Sequence, residues 1–74
     1  MATEAMSASA KVAREIRAEL GRQRISRAEL ARRLQVTPWL ISRRMSGTTP
    51  FTVDEVHEIA HVLEVPAERL LQAS

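Results

Sequence analysis

The chain has 74 residues, enough for one small domain, and it contains no cysteine, which excludes a disulfide framework and a thiolate metal site. Its 11 Lys and Arg residues against 9 Asp and Glu residues give a net charge of +2. No apolar run approaches the roughly 20 residues of a membrane span. The first ten residues also lack the basic segment of a secretory signal, so we expect a cytoplasmic protein without a membrane partner.

The charges are divided unevenly along the sequence. From Lys11 to Arg44, ten basic and three acidic residues give +7, whereas residues 45–74 hold one basic and five acidic residues and give −4. A basic first half favours a surface for a polyanion. The alternative is that these charges only solvate the exposed faces of helices.

The first predicted helix begins near Ser7 or Ser9, either of which can serve as its N-cap. Its apolar face follows the 3.6-residue period. The residues on that face are Val12, Ala13, Ile16 and Leu20. Gly21 either ends this helix or lies within a helix that continues to Gln23.

The second predicted helix has a clear start. Ser26 and Glu29 have the spacing of a capping box, in which each side chain bonds the backbone N–H of the other residue. Ile25 and Leu30 are placed as the accompanying hydrophobic staple. The helix ends near Leu34.

Two further start signals predict the rest of the chain. Thr37 and Pro38 are the N-cap and first residue of a third helix that ends at Ser46 before Gly47. A second capping box, at residues 52–55, opens a fourth helix. Its predicted inward residues are Val53, Val56, Ile59, Ala60 and Leu63.

A short fifth helix follows Val65 and Pro66 and carries Leu70 and Leu71 near its end. The sequence therefore predicts an all-α fold with five helices, no strand, a flexible N-terminal segment over residues 1–8 and one domain over residues 9–74. Two of the helices, over about residues 26–34 and 38–46, are joined too tightly to lie antiparallel, which is typical of a helix-turn-helix.

One side of the third helix is chemically distinctive. With Ile41 taken as the inward direction, four residues with helical spacing form an outward stripe. They are Trp39, Ser42, Arg43 and Ser46. The only tryptophan of the chain lies in this stripe, and an exposed tryptophan indicates a binding surface.

Residues 26–71, SRAELARRLQVTPWLISRRMSGTTPFTVDEVHEIAHVLEVPAERLL, resemble the lambda-repressor-like helix-turn-helix family of the Cro/CI or XRE type. The most specific elements are ELA at 29–31, VT at 36–37, ISR at 41–43, Gly47 and the pattern from Val56 to Pro66. The resemblance implies a compact five-helix domain whose third helix enters the DNA major groove. It also implies a transcriptional regulator, of phage or bacterial repressor type, that binds double-stranded DNA sequence-specifically and needs no cofactor.

The chain departs from the family pattern at several positions. Arg27 replaces the usual glutamine at the start of the second helix, and Arg44 stands where the family buries an apolar residue. Glycine is usual at the positions of Arg24, Gln35 and Glu64. Left-handed backbone at these three residues would cost each roughly 1 kcal/mol.

We assign the outward stripe to base readout, with Arg43 paired to guanine and Trp39 on a thymine methyl, a sugar or a phosphate. Ser42 and Ser46 are weaker candidates for base contacts. The alternative for Trp39 is a side chain folded back over Leu40. The predicted phosphate contacts are Arg27, Thr37, Arg44, Thr48 and Thr49.

The size of the domain favours a homodimer on a two-fold operator, because one small domain buries little surface on DNA. Leu70 and Leu71 are either the dimer contact or residues that close the core.

The letters HEIAH, residues 57–61, spell the H-E-x-x-H motif of zinc proteases. No third histidine exists to complete a catalytic zinc site. We therefore interpret His57 and His61 as solvent-side residues of an amphipathic helix, with His57 half-buried, and expect no metal site and no enzyme activity. An antitoxin or protein-interaction module with the same fold remains the alternative function.

Overall fold

The computed structural model describes residues 7–71, which form five α-helices connected by short turns. They are α1 (Ala8–Gln23), α2 (Arg27–Leu34), α3 (Pro38–Ser46), α4 (Val53–Leu63) and α5 (Ala67–Leu71). The predicted all-α architecture is confirmed, and residues 7–71 contain no strand. Ser7 caps α1, so this helix begins inside the predicted segment 1–8, whose residues 1–6 lie outside the described residues, as do 72–74.

Hydroxyl side chains begin four of these helices. In each case the oxygen accepts a hydrogen bond from the backbone N–H three residues later, at 3.0–3.2 Å. The capping residues are Ser7, Ser26, Thr37 and Thr52. These bonds satisfy N–H groups that have no partner within the helix.

The two predicted capping boxes differ in outcome. At α4 the box is complete, because the Glu55 carboxylate accepts from the Thr52 N–H at 2.9 Å. At α2 only the Ser26 half of the predicted box forms. The Glu29 carboxylate instead accepts hydrogen bonds from the guanidinium groups of Arg32 and Arg33 on the next helical turn. These two guanidinium groups take the place of the Ser26 backbone N–H, from which Glu29 would accept a hydrogen bond in a complete capping box.

Left-handed residues end four of the helices. Arg24, Gln35 and Glu64 follow α1, α2 and α4 with φ of 57°, 60° and 61°, and Gly47 follows α3 with φ of 87°. Gly21 therefore lies inside α1, which settles the open alternative in favour of the longer helix. The three non-glycine residues carry the conformational cost that the departures from the family pattern indicate.

Replacing Arg24, Gln35 or Glu64 individually with glycine is expected to raise the free energy of unfolding. Glycine relieves the left-handed strain but adds entropy to the unfolded chain, so the net gain is about 0.5–1 kcal/mol each. Urea denaturation measures this gain. The matched control is Gly47→Ala, which should lose about 1 kcal/mol because it introduces the same strain. Destabilisation by all three glycine substitutions would contradict this interpretation.

All five helices contribute buried apolar side chains to one core. Its largest fully buried side chains are Ile16, Leu30, Ile59, Leu63 and Leu70. Helix α2 packs on α3 and α4, while α1 packs on α3 and α5. The small residue Ala31, 1 % exposed, lies within this core on α2, the helix that packs against α3.

Val53 was expected to point inward but is 66 % exposed. At 100° per residue it lies about 70° from the centre of the face formed by the other apolar residues of α4. It therefore lies at the margin of that face and is not part of the core. Across residues 7–71, no helix is both long enough and apolar enough to cross a membrane.

Candidate functional site

Three of the four residues predicted on the outward face of α3 are exposed. Trp39 is 66 % exposed, Ser42 and Ser46 are exposed, and Arg43 is half-buried. Trp39 therefore does not fold back as a core residue over Leu40. An indole of this size leaves a large apolar surface in water on the same helix face as a cation.

Trp39 and Arg43 are in direct contact on that face. The Arg43 guanidinium carbon lies 4.9 Å from the centroid of the Trp39 ring, which is the geometry of a cation–π pair. The pair spans one helical turn. It holds the arginine against α3 and restricts the positions that its guanidinium can reach.

The N-termini of α2 and α3 carry polar side chains that can bind an anion. Arg27, the first residue of α2, is exposed and makes no ion pair within residues 7–71. The Thr37 hydroxyl oxygen accepts from the Leu40 N–H at 3.2 Å, and its hydrogen remains able to donate. Each side chain can therefore contact an anion at the N-terminus of its own helix.

At the other end of α3, Ser46 and Thr48 bond one another. Their hydroxyl oxygens lie 2.9 Å apart, and the Ser46 Oγ also donates to the Arg43 carbonyl at 3.1 Å. Ser46 thus has less freedom to reach a base than its exposed position in the predicted stripe indicates. Thr48 follows the C-cap of α3 and is exposed.

Arg44 and Thr49, both predicted phosphate contacts, are engaged within the protein. The Arg44 guanidinium donates to both Glu55 carboxylate oxygens at 2.9–3.2 Å and to the Thr49 hydroxyl at 2.6 Å. The Arg44 side chain is mostly buried, and its charged end turns to α4 rather than to the α3 face. The partner explains this orientation, because the partly buried Glu55 carboxylate accepts three of the Arg44 hydrogen bonds.

Glu55 joins α3 to the start of α4. The Arg44 hydrogen bonds, followed by the bond from the Thr52 backbone, hold the pKa of the Glu55 carboxyl below its ordinary value. One carboxylate therefore completes the helix cap and fixes the C-terminal half of α3. This ion pair positions the face that carries Trp39 and Arg43.

A second polar cluster, centred on Glu19, was missed by the sequence reasoning. Glu19 is 4 % exposed and accepts from Gln23 at 2.8 Å and from Arg22 at 2.7 Å, with Arg69 of α5 at 3.7 Å. The Gln23 amide also donates to the Leu63 carbonyl at 2.8 Å. The signal was present, since Glu19 lies seven residues after Val12 on nearly the same side of α1.

The Glu19 cluster makes the stability of the fold depend on pH in the acidic range. Hydrogen bonds from Gln23 and then Arg22 lower the pKa of Glu19 from its ordinary value of 4.5. A lowered folded-state pKa stabilises the fold above the ordinary value, and this contribution is lost as the pH falls below it. We therefore expect the melting temperature to fall as the pH drops below about 4.5.

Glu19→Gln is expected to lower the free energy of unfolding at pH 7 by about 1.5–3 kcal/mol, the range for hydrogen bonds to a charged group. It should also flatten the acid-side fall of the melting temperature. Thermal melts from pH 7 to 3 measure both effects. Glu58→Gln, which removes an exposed carboxylate on α4, is the control and should keep the wild-type profile. An unchanged profile in Glu19→Gln would refute the role of the cluster.

The HEIAH histidines lie on the solvent side of α4. His57 is exposed rather than half-buried, and its Nδ1 lies 3.0 Å from the Val53 carbonyl. It is about 110° from the centre of the apolar face of α4, which explains the exposure. His61 and Glu58 are also exposed, and residues 7–71 contain no group of three His, Asp or Glu side chains placed to hold a metal.

The two leucines of α5 differ in burial, and this separates the two roles predicted for them, core closure and dimer contact. Leu70 is fully buried, whereas Leu71 is 44 % exposed. Leu71 and Val53 line an open apolar depression between the start of α1, the loop before α4 and α5. The other lining residues are Ala8, Ser9, Val12, Pro50, Phe51 and Val56.

Comparison with protein families gives a match to a family described as helix-turn-helix, over residues 14–70. The matched range covers more than half of the chain and includes the α2–α3 pair with its exposed face. Comparison with curated proteins gives no match, and comparison with solved structures gives none.

Proposed function

The chain belongs to the helix-turn-helix family of the Cro/CI and XRE type, whose members are DNA-binding transcription regulators, and we propose that it is a repressor that reads the major groove with α3. The observation that carries this proposal is the exposed Trp39–Arg43 pair. It places an aromatic surface and a guanidinium together on the helix that this family inserts into DNA.

We divide the contacts of the site by role. Arg43 and Trp39 read bases, and Ser42 supplements them from the same face, with Ser46 restricted by its internal bonds. Arg27, Thr37 and Thr48 contact phosphates. Arg44 and Thr49 are withdrawn from the phosphate set, because each is hydrogen-bonded to the other and Arg44 also to Glu55.

The charge distribution supports the same orientation. The basic segment from Lys11 to Arg44 contains α2 and most of α3, whereas acidic residues outnumber basic ones after Met45. Part of the basic charge is compensated, since Glu29 binds Arg32 and Arg33. Arg27 and Arg43 make no such ion pair within residues 7–71 and supply uncompensated charge within the α2–α3 unit.

We propose that the protein acts in the cytoplasm, on nucleoid DNA, as a homodimer on a two-fold operator. The apolar depression around Leu71 and Val53 is the contact that we assign to the second copy. Leu71→Asp is expected to weaken self-association by placing a charge in this contact. Sedimentation equilibrium measures the effect, with the exposed Glu68→Ala as control. Equal self-association of wild type and Leu71→Asp would exclude this contact.

Two binding experiments test the DNA-binding proposal. The affinity for a random duplex, followed by fluorescence anisotropy, should fall linearly on a plot of log K against log salt concentration. Selection from random duplexes should then enrich a single site, with its symmetry and half-site spacing. Negligible affinity at low salt would contradict the proposal and favour the alternative, an antitoxin or protein-interaction module.

A repressor lowers transcription when its site overlaps a promoter. The selected site is therefore placed across the promoter of a reporter gene, and expression is measured with and without the protein. Reduced expression supports the repressor assignment. Increased expression would contradict it and leave DNA binding intact.

A further inference from the structure

The Trp39–Arg43 contact leaves the hydrogen-bonding edge of the arginine free. The guanidinium lies over the ring at 4.9 Å, and its five N–H donors point outward from the edges of its plane. The Arg43 guanidinium makes no hydrogen bond or ion pair within residues 7–71. The guanidinium therefore keeps N–H donors for two hydrogen bonds to one base while it stays in contact with the indole.

The indole has exposed surface left over after this contact. Trp39 is 66 % exposed although Arg43 covers part of it, and it is the second residue of α3. In a helix-turn-helix the N-terminal residues of the reading helix contact base edges. Trp39 therefore carries apolar surface to the floor of the groove, where the only apolar group on a base edge is the thymine C5 methyl.

The distance between the two groups matches neighbouring base pairs. Ring centroid and guanidinium carbon are 4.9 Å apart, and successive base pairs are separated by about 3.4 Å. Arg43 and Trp39 thus reach the same pair or adjacent pairs. Since the best partner of a guanidinium is guanine O6 and N7, the methyl group must lie beside that guanine.

We propose that Trp39 and Arg43 form one reading unit for a base step in which a thymine lies next to a guanine. The guanidinium donates to guanine O6 and N7, and the indole packs on the thymine methyl while it holds the arginine in place. This inference rests on the proposed function, because it names the base step read by the same face. It makes Trp39 a specificity determinant rather than a phosphate or sugar contact.

The test uses modified bases in the duplex selected from random sequences. Uracil in place of the thymine beside the contacted guanine removes only the methyl group. Wild-type affinity is expected to fall about fourfold, the equivalent of about 0.8 kcal/mol for one buried carbon group. Trp39→Ala should bind the thymine and uracil duplexes equally. Uracil at a thymine outside the selected site is the control and should have no effect.

A second modification separates this inference from the proposed function. Replacing the guanine with 7-deazaguanine removes one acceptor and should weaken wild type by about tenfold or more, but not Arg43→Ala. Suppose that wild type loses affinity with 7-deazaguanine, and that uracil lowers the affinity of wild type and Trp39→Ala equally. This result would overturn the inference but leave the proposed function intact. A selected site without a thymine beside the guanine would do the same. Absence of any enriched site would instead refute the proposed function.

Both variants change side chains on the exposed face of α3, so the fold should survive. Circular dichroism and thermal melts of Trp39→Ala and Arg43→Ala check this. Trp39→Phe adds a further arm, because a smaller aromatic ring should retain part of the uracil effect. Retention of the full uracil effect in Trp39→Ala would show that another residue contacts the methyl group and would overturn the inference.

Discussion

Leu70→Ala is expected to lower the free energy of unfolding by about 2–5 kcal/mol, the largest effect of any single substitution considered for this fold. Leu70 is fully buried and joins α5 to the core formed by α1 and α4. A 74-residue domain has a total stability of only about 4–11 kcal/mol, so this loss removes much of it. Urea denaturation followed by circular dichroism measures the change.

Leu71→Ala is the matched control, because it makes the same chemical change on the neighbouring residue of the same helix. Leu71 is 44 % exposed, and we expect a loss of about 0.5 kcal/mol or less in the monomer. If Leu70→Ala is too unstable to study, Leu70→Met keeps the volume and should cost less than about 1.5 kcal/mol. Equal losses for the two alanine variants would contradict the division of roles between core and surface.

Arg43→Ala is expected to weaken binding to the selected DNA site by about 1–3 kcal/mol and to relax the preference for guanine. Its affinity for random duplex should change much less, because base readout contributes nothing there. Anisotropy titrations of the selected site, a site with the guanine replaced and a random duplex measure the three affinities at one salt concentration.

Arg27→Ala is the comparison variant, since it removes a cation from the same unit without removing a base contact. It should weaken binding to all three duplexes alike and reduce the salt slope by about one. The separation of the two arginines rests on their positions, with Arg43 on the α3 face and Arg27 at the start of α2. Equal losses on selected and random DNA for both variants would refute the assignment of Arg43 to base readout.

Features that depend on neighbours in sequence were predicted well. The Thr52–Glu55 box, the Thr37 cap and the end of α3 at Gly47 all formed, because capping needs only residues within three or four positions. The outward face of α3 followed from helical geometry in the same way. The Glu29 half of the first box failed because Arg32 and Arg33 compete for the same carboxylate.

Features that depend on tertiary packing could not be predicted. Gln23 bonds the Leu63 carbonyl 40 residues away, and no local pattern names that partner. Arg44 binds Glu55 across the loop between α3 and α4, so its direction depends on how these helices meet. Val53 lies at the margin of its apolar face, where a change of a few tens of degrees decides whether a side chain is buried.

The most direct test of DNA reading by α3 is the change in backbone and indole NMR shifts when a duplex is added to nitrogen-15-labelled protein. Trp39 is the only tryptophan, so its indole N–H gives one assignable signal in the described part of the chain. We expect this signal and the amides of Arg27, Thr37, Arg43 and Thr48 to shift with increasing DNA. Shifts confined to α4 and α5, with an unchanged Trp39 indole, would contradict the proposed mode of binding.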